Sequence, residues 1–320
     1  MPLGDFYGKK SDSMRLAAVL CFLAAGLSGA VAAECGPDKL GTSRIAEVGA
    51  HGGLLVGLKT YPNAIPLADH EVILTFDDGP DAHTTPEVLK ALADQCVRAT
   101  FFAIGRNVEA LPALARREVE EGHNVAHHTY THPQPTLRYM SDSVARADVL
   151  KGMIAVERAA YGQDFSAGEP TDLSQIKLHA PFFRFPGFAD TADLRLWFAR
   201  DNVAIFGTDL WASDWVPMTP AQELKLVMGR LDKAGRGMLL LHDNRQWTAD
   251  MLPAFLLELK KRGYRIVHVV AGPGTGPTVA APPGWVSETE RVVGAMRPRY
   301  DGGSAKAPAG PIPVKPAPTE

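Results

Sequence analysis

The sequence predicts an α/β fold: a (β/α) barrel of about seven parallel strands, with helices packed around the outside. Three observations lead there. Short apolar runs alternate with longer amphipathic segments from residue 71 to residue 269, the pattern of a parallel sheet covered by helices. Those runs show little polar alternation, as expected of strands buried on both faces. The polar, chemistry-bearing clusters fall just after the runs, and in such barrels that end of the strands carries the active site.

The elements follow in order. EVILTF (71–76) reads as a buried strand, and Pro86 to Gln95 as a helix with proline in its first turn. RATFFAI (98–104) is a strand followed by a helix over 109–121, and HNVAHH (123–128) is a short strand. A long helix covers about 141–161, with Ser141 or Asp142 as its N-cap. Residues 162–180 read as a loop insertion, followed by a short strand near 181–185, a helix over 190–200 and the strand VAIFG (203–207). A helix over 219–235 leads to the strand GMLLLH (237–242). The last unit is a helix over 248–262, capped by Gly263, and the strand YRIVHV (264–269). Seven units in 200 residues make a barrel smaller than the usual ~250.

Segments outside this core carry different signals. Residues 34–69 have scattered glycine and proline and no sustained period, so they read as an irregular lead-in to the domain at 70–270. Residues 271–320 are rich in proline, glycine and alanine, which predicts a largely disordered tail with one short helix at 285–297. Leu16 to Val31 is an apolar run preceded by Lys9, Lys10 and Arg15 and followed by Ala32 and Ala33, the pattern of a secretory signal peptide over 1–33. The run is shorter than the ~20 residues of a spanning helix, so no membrane span remains after cleavage. Glu34 before Cys35 breaks the small-residue pattern of lipid attachment, and Met14 is an alternative start. The expectation is an exported protein, periplasmic or extracellular.

Composition narrows the function classes. The 320 residues are 46% hydrophobic with a net charge of −3, enough to bury a core and with no bulk charge to attract nucleic acid. Three cysteines are too few for a disulfide scaffold. Once Cys21 leaves with the signal peptide, Cys35 and Cys96 either pair in an oxidising compartment or stay as thiols. Nothing in the sequence sets the oligomeric state.

Five clusters carry chemistry. In Thr75-Phe76-Asp77-Asp78-Gly79-Pro80 two adjacent carboxylates at a strand end point in different directions, so one can hold a metal while the other stays free as a base. An ordinary Asp-Gly-Pro turn is the bland alternative. In His127-His128-Thr129-Tyr130-Thr131-His132-Pro133, His128 and His132 stand at i, i+4, on one side of a helical turn. Two imidazoles and a carboxylate form a common catalytic zinc set with open positions. In Phe183-Arg184-Phe185-Pro186-Gly187-Phe188 the arginine suits a carboxylate, and the Gly187 N–H suits a developing oxyanion. The fourth cluster is Asp209-Leu210-Trp211-Ala212-Ser213-Asp214-Trp215, and the fifth is Leu239-Leu240-Leu241-His242-Asp243. Leu240 and His242 share a strand face, and Asp214 beside His242 would raise its pKa and suit it to donate a proton.

Taken in order, the five clusters resemble the motifs of the polysaccharide deacetylases, the NodB-homology group of carbohydrate esterases, over roughly residues 70–270. The resemblance implies a distorted (β/α) barrel and a hydrolase that removes N-acetyl groups from glycans containing N-acetylglucosamine, giving acetate and a free amino sugar. It implies Asp77 as the base, and Asp78, His128 and His132 as ligands of one divalent metal, zinc first, with cobalt, nickel or manganese also accepted by the set. Arg184 would orient Asp77, Asp214 would tune His242 as the general acid, and Trp215 and Leu240 would line the acetyl pocket.

The sequence also departs from the family pattern. Gly187 stands where an aromatic is usual, Trp211 narrows the cleft, and His127 replaces a small or amide residue. His127 reads as a neighbour of the metal set, since adjacent residues seldom both reach one ion. Chitin-like chains, peptidoglycan and exopolysaccharide all supply suitable units. The competing readings are an O-deacetylase or small-amide hydrolase using the same site, a non-catalytic glycan-binding module, and a structural envelope protein held by its tail. Loss of a ligand or of His242 would favour the binding module, and all are present.

Overall fold

A computed structural model describes residues 35–295, with side chains through 292. The expected signal peptide and residues 296–320 lie outside the described residues. The seven expected strands are all present: β4 (Glu71–Asp77), β5 (Thr100–Ala103), β6 (Asn124–His127), β7 (Phe182–Phe183), β8 (Ala204–Phe206), β10 (Gly237–His242) and β11 (Arg265–Gly272). Every pairing among them is parallel. Three more strands extend the sheet: β1 (Thr42–Gly49) beside β11, β2 (Leu55–Val56) beside β8, and β9 (Leu210–Trp211) beside β10.

β4 is the hub, and it is where the barrel distorts. One edge pairs with β10 along its length, Gly237 opposite Val72 through His242 opposite Asp77. The other edge is shared, its first residues with β11 and its last with β5. Period-two alternation sorts its side chains. Val72, Leu74 and Phe76 pack outward among α1 (Thr84–Asp94), α6 (Pro220–Ala234) and α7 (Gln246–Lys261), while Ile73 joins Phe102, Phe182, Phe206 and Met238 inside. Thr75 and Asp77 share the inward face with Ile73. By the same rule Met238, Leu240 and His242 face inward from β10. At the end of β7, Phe183 and the following Phe185 pack outward, leaving Arg184 to the interior.

The structure corrects several expectations. The segment 34–69 is not irregular throughout, because β1 runs for eight residues against β11. Its alternation of half-buried and exposed residues is that of an edge strand, with Arg44 paired to Glu71 at 2.6 Å. The helix expected over 109–121 is two, α2 (Gly105–Ala110) and α3 (Pro112–Glu120), with Pro112 at the first position of α3. Proline disfavours the helical region at the residue before it, which breaks the run at Leu111. The long helix is α4 (Asp142–Ala159) with Ser141 at its N-cap, and the next is α5 (Ala192–Arg200).

The expected tail is ordered through its first two dozen residues. After β11, β12 (Val279–Ala280) pairs antiparallel with β3 (Asn63–Ala64), and α8 (Glu288–Ala295) follows, close to the expected short helix. Trp285 Nε1 donates to the Leu58 carbonyl at 2.7 Å, Lys59 pairs with Glu288, and Arg138 pairs with Glu290 at 2.5 Å. Cys35 and Cys96 form a disulfide across 61 residues of sequence. No helix among the described residues is long and apolar enough to cross a membrane.

Candidate active site

The strand ends bring the five clusters to one place. The register that sets His242 opposite Asp77 puts an imidazole and a carboxylate side by side at the ends of β10 and β4. Asp78 follows with a left-handed backbone, φ 76°, so its side chain leaves in a different direction from that of Asp77. His132 has φ 50° and Thr129 φ 67°. Non-glycine residues in this region carry strain that the surroundings must hold, and such residues collect at functional sites. The surroundings are visible here. Asn107 Nδ2 donates to the Asp78 carbonyl at 2.8 Å, and Asp148 accepts from Thr131 Oγ1 at 2.7 Å and from the Tyr130 N–H at 3.1 Å.

Asp78, His128 and His132 offer three ligand atoms within 4.8 Å of one another. Asp78 Oδ1 is buried without a hydrogen-bond partner, while Nε2 of His132 and of His128 lie 3.3 and 3.5 Å from it. His128 Nδ1 lies 2.7 Å from the Arg184 carbonyl, so it carries the ring proton and leaves the Nε2 lone pair facing Asp78. Burial opposes the charge on Asp78, but the facing imidazoles of His128, His242 and His132 outweigh it and hold the carboxyl well below its usual range. Burial and the neighbouring His128 lower the pKa of His132, favouring the neutral ring a metal requires. A buried, unsatisfied carboxylate oxygen facing two imidazole nitrogens fits a divalent cation. His127 turns the other way, its Nε2 3.6 Å from Glu157.

Asp77 is held from below. Arg184 is fully buried. Its Nη1 donates to Asp77 Oδ1 at 2.6 Å and to Thr75 Oγ1 at 2.9 Å, and its Nη2 to the Gly207 carbonyl at 2.9 Å. The guanidinium also lies over the Phe102 ring, 4.1 Å from its centroid. This leaves Asp77 Oδ2 toward the metal set, 3.9 Å from His128 Nε2.

His242 occupies the opposite side, Nε2 4.0 Å from Asp78 Oδ2. Its Nδ1 donates to Asp214 Oδ1 at 2.7 Å, and Asp214 Oδ2 accepts from the His242 backbone N–H at 2.7 Å and from Thr248 Oγ1 at 3.0 Å. Burial disfavours the imidazolium, yet the Asp214 carboxylate more than compensates and raises the His242 pKa to about 9. Trp215 is half-exposed and meets His242 edge-on, ring centroids 6.2 Å apart. Leu240 is buried on the face it shares with His242. Gly187 has φ 59° in the turn Pro186–Phe188, and a side chain there would meet only Thr136.

Sequence reasoning missed the supporting groups. Thr75 stood inside a quoted motif, and its inward register with Asp77 was the available signal. Asp243 packs under Gly79 so closely that a Cβ there would lie 2.0 Å from its Oδ2. Burial raises the Asp243 carboxyl to about 7. Glu223, whose Oε1 lies 3.0 Å from Thr248 Oγ1, and Lys59, which lies over the Trp211 ring, come from distant segments without a local pattern.

Known proteins resemble this chain in sequence and in fold. The sequence profile of the polysaccharide deacetylases matches residues 64–167. A peptidoglycan-N-acetylglucosamine deacetylase of Bacillus cereus is 33% identical over 215 residues, covering 64% of this chain and 89% of that protein. A chitooligosaccharide deacetylase of Sinorhizobium fredii is 47% identical over 102 residues, 32% of this chain and 44% of that one. Among solved structures, a peptidoglycan deacetylase of Bdellovibrio bacteriovorus superposes with a TM-score of 0.61 at 27% identity, covering 73% of this chain and 60% of that one. With a parallel barrel, five motifs meeting at its strand ends and a relative matched over most of its length, this chain belongs to the polysaccharide deacetylase family.

Proposed function

We propose that the protein is an exported, metal-dependent hydrolase that removes N-acetyl groups from polysaccharide or oligosaccharide containing N-acetylglucosamine, acting in the periplasm or outside the cell. The observation that carries this is the convergence of Asp78, His128 and His132 between Arg184-bound Asp77 and Asp214-bound His242. Relatives named for peptidoglycan and chitooligosaccharide deacetylation support the substrate class.

A divalent cation held by Asp78, His128 and His132, zinc first among those such a set accepts, would supply Lewis acidity toward the acetamide carbonyl and the attacking water. Asp77 takes the proton from that water through Oδ2, because Oδ1 is occupied by Arg184. The Gly187 N–H, on a turn whose bare Cα leaves the cleft open, donates to the developing oxyanion. His242 gives the proton on Nε2 to the departing amine, since Nδ1 stays bonded to Asp214. Trp215 and Leu240 bound the space for the acetyl methyl. Products are acetate and a free amino sugar.

The test is acetate release from N-acetylglucosamine oligomers by the exported form, metal-stripped and then with zinc restored. Release that stops on stripping and returns with zinc supports the proposal. Zinc binding without release would overturn the substrate, and the absence of both would favour a non-catalytic glycan-binding module.

A further inference from the structure

One cavity has no residue of the metal set in its lining. It is a cleft of about 790 Å³ beside that set. Its walls come from the loop after β2, the turn Leu137–Tyr139, the start of α5 and the C-terminal segment, and they present Tyr61, Arg138, Tyr139, Ala192, Arg195 and Trp285. The first and last walls are the segments expected to be irregular and disordered, clamped together by Trp285, Lys59 and Glu288.

Two residues that flank the cleft's walls in sequence connect it to the site. Thr136, just before the Leu137–Tyr139 turn, is the nearest group to the open side of Gly187. Lys59, just before Thr60 and Tyr61, lies over Trp211, which meets Trp215 edge-on at 5.7 Å, and Trp215 in turn meets His242.

The lining mixes apolar and aromatic surface with charged groups that balance one another. Buried Asp190 accepts from Tyr61 Oη at 2.8 Å and from Arg195 Nη1 at 2.6 Å, and Arg138 donates to the Asp190 carbonyl at 2.9 Å as well as pairing with Glu290. Two guanidinium groups therefore meet two carboxylates. An anion entering the cleft would find its cations already matched. A neutral ligand with many hydroxyls finds planar donors and acceptors held in place and aromatic rings beside them, the combination that suits a sugar ring.

We propose that this cleft is a glycan subsite for an uncharged sugar of the same chain whose N-acetylglucosamine unit sits at the metal set. The assignment rests on the deacetylase reading and extends it: the protein acts on oligomers and polymers in preference to single sugars or dimers.

The test uses the full oxidised chain and two variants. Ala192→Trp fills the cleft from an exposed helix position without removing a contact, and Tyr139→Ala removes an aromatic wall. Binding of the N-acetylglucosamine tetramer to metal-free protein is followed by calorimetry, and kcat/KM is measured for tetramer and dimer on the zinc-loaded enzyme. Losing contacts of this kind should weaken tetramer binding about tenfold or more and lower the tetramer-to-dimer ratio of kcat/KM by a similar factor. Tetramer binding unchanged in both variants, or a wild type that does not distinguish tetramer from dimer, would overturn the subsite. A wild type that binds tetramer but releases no acetate, with binding lost in the variants, would refute the deacetylase reading and leave the subsite standing.

Discussion

Replacing Arg184 with methionine separates support from chemistry. The side chain is fully buried, and methionine keeps much of its length while removing the charge and every donor. The Asp77 carboxylate, 2.6 Å away, loses the guanidinium bound to it, and the Gly207 and Phe206 carbonyls lose their donors at 2.9 and 3.3 Å. Breaking a buried pair by deleting one partner costs about 3–5 kcal/mol, most of it from the charge left behind. At roughly 2–4 °C per kcal/mol for a domain of this size, the midpoint of thermal unfolding should fall by about 6–20 °C. Adding Asp77→Asn removes the stranded charge, so the double variant should regain about 2 kcal/mol or more over the single one while staying inactive. Urea unfolding followed by tryptophan fluorescence, with acetate release measured in parallel, reads both effects. A single variant within about 1 kcal/mol of wild type, or a double variant no more stable than the single, would show that Arg184 does not neutralise Asp77.

Three further outcomes follow from the geometry. Asp77→Asn should bind zinc as wild type does, because Asp78, His128 and His132 are intact, and should lose about 10²–10⁴-fold in kcat. His132→Gln should weaken zinc by more than about 100-fold in a competition titration with a fluorescent chelator, since even outer-shell losses cost 10–100-fold. Asp214→Asn should move the alkaline limb of the kcat profile to lower pH. The His242 pKa is raised to about 9 and its acid form is the active one, so wild-type activity is lost as pH rises through that value. Without Asp214, burial is opposed only by the more distant carboxylates of Asp78 and Asp77, and the pKa falls. At pH 8 the protonated fraction, about nine-tenths in the wild type, would then fall. A limb that stays in place would detach Asp214 from the proton donor.

The parts of the fold that were legible are those whose signal is local. VILTF and MLLLH are apolar enough to announce strands buried on both faces, and the residues that end them, Asp77 and His242, inherit their place in the site from that register. β1 was illegible for the converse reason. TSRIAEVG has the composition of a polar edge, and its partner β11 lies more than two hundred residues away. The split at Leu111 did carry a local signal, the restriction proline places on the preceding residue, and the periodicity of the flanking apolar residues masked it. The C-terminal wall is the clearest case. Proline and glycine tracts described the composition of 271–295 correctly but not its partners, because the order there comes from Trp285 on the Leu58 carbonyl and Glu288 on Lys59. The candidate site was more legible than its supports, since Asp77, Asp78, His128 and His132 sit in short motifs whereas Glu223 and Thr248 reach Asp214 and each other only through tertiary packing.

The two carboxylates flanking the metal set have different partners, and that difference gives the proposed reaction a direction. Asp77 is bound to a guanidinium that keeps its protons at any working pH, so the only proton Asp77 can gain comes from the cleft, through Oδ2. Asp214 is bound to an imidazole that it keeps charged, and Asp214 itself is closed to the cleft by the His242 N–H and the Thr248 hydroxyl. Its influence therefore reaches the substrate only as a proton on His242 Nε2. The proposed base Asp77 and the proposed acid His242 stand on adjacent strands in register, each held by its own partner. Exchanging their roles would require Arg184 to release a proton, which a guanidinium paired with the Asp77 carboxylate does not do, or Asp214 to reach the cleft, which its burial forbids. Proton flow from water at Asp77 toward amine at His242 is thus built into which inward-facing residue each strand end received, before any substrate arrives.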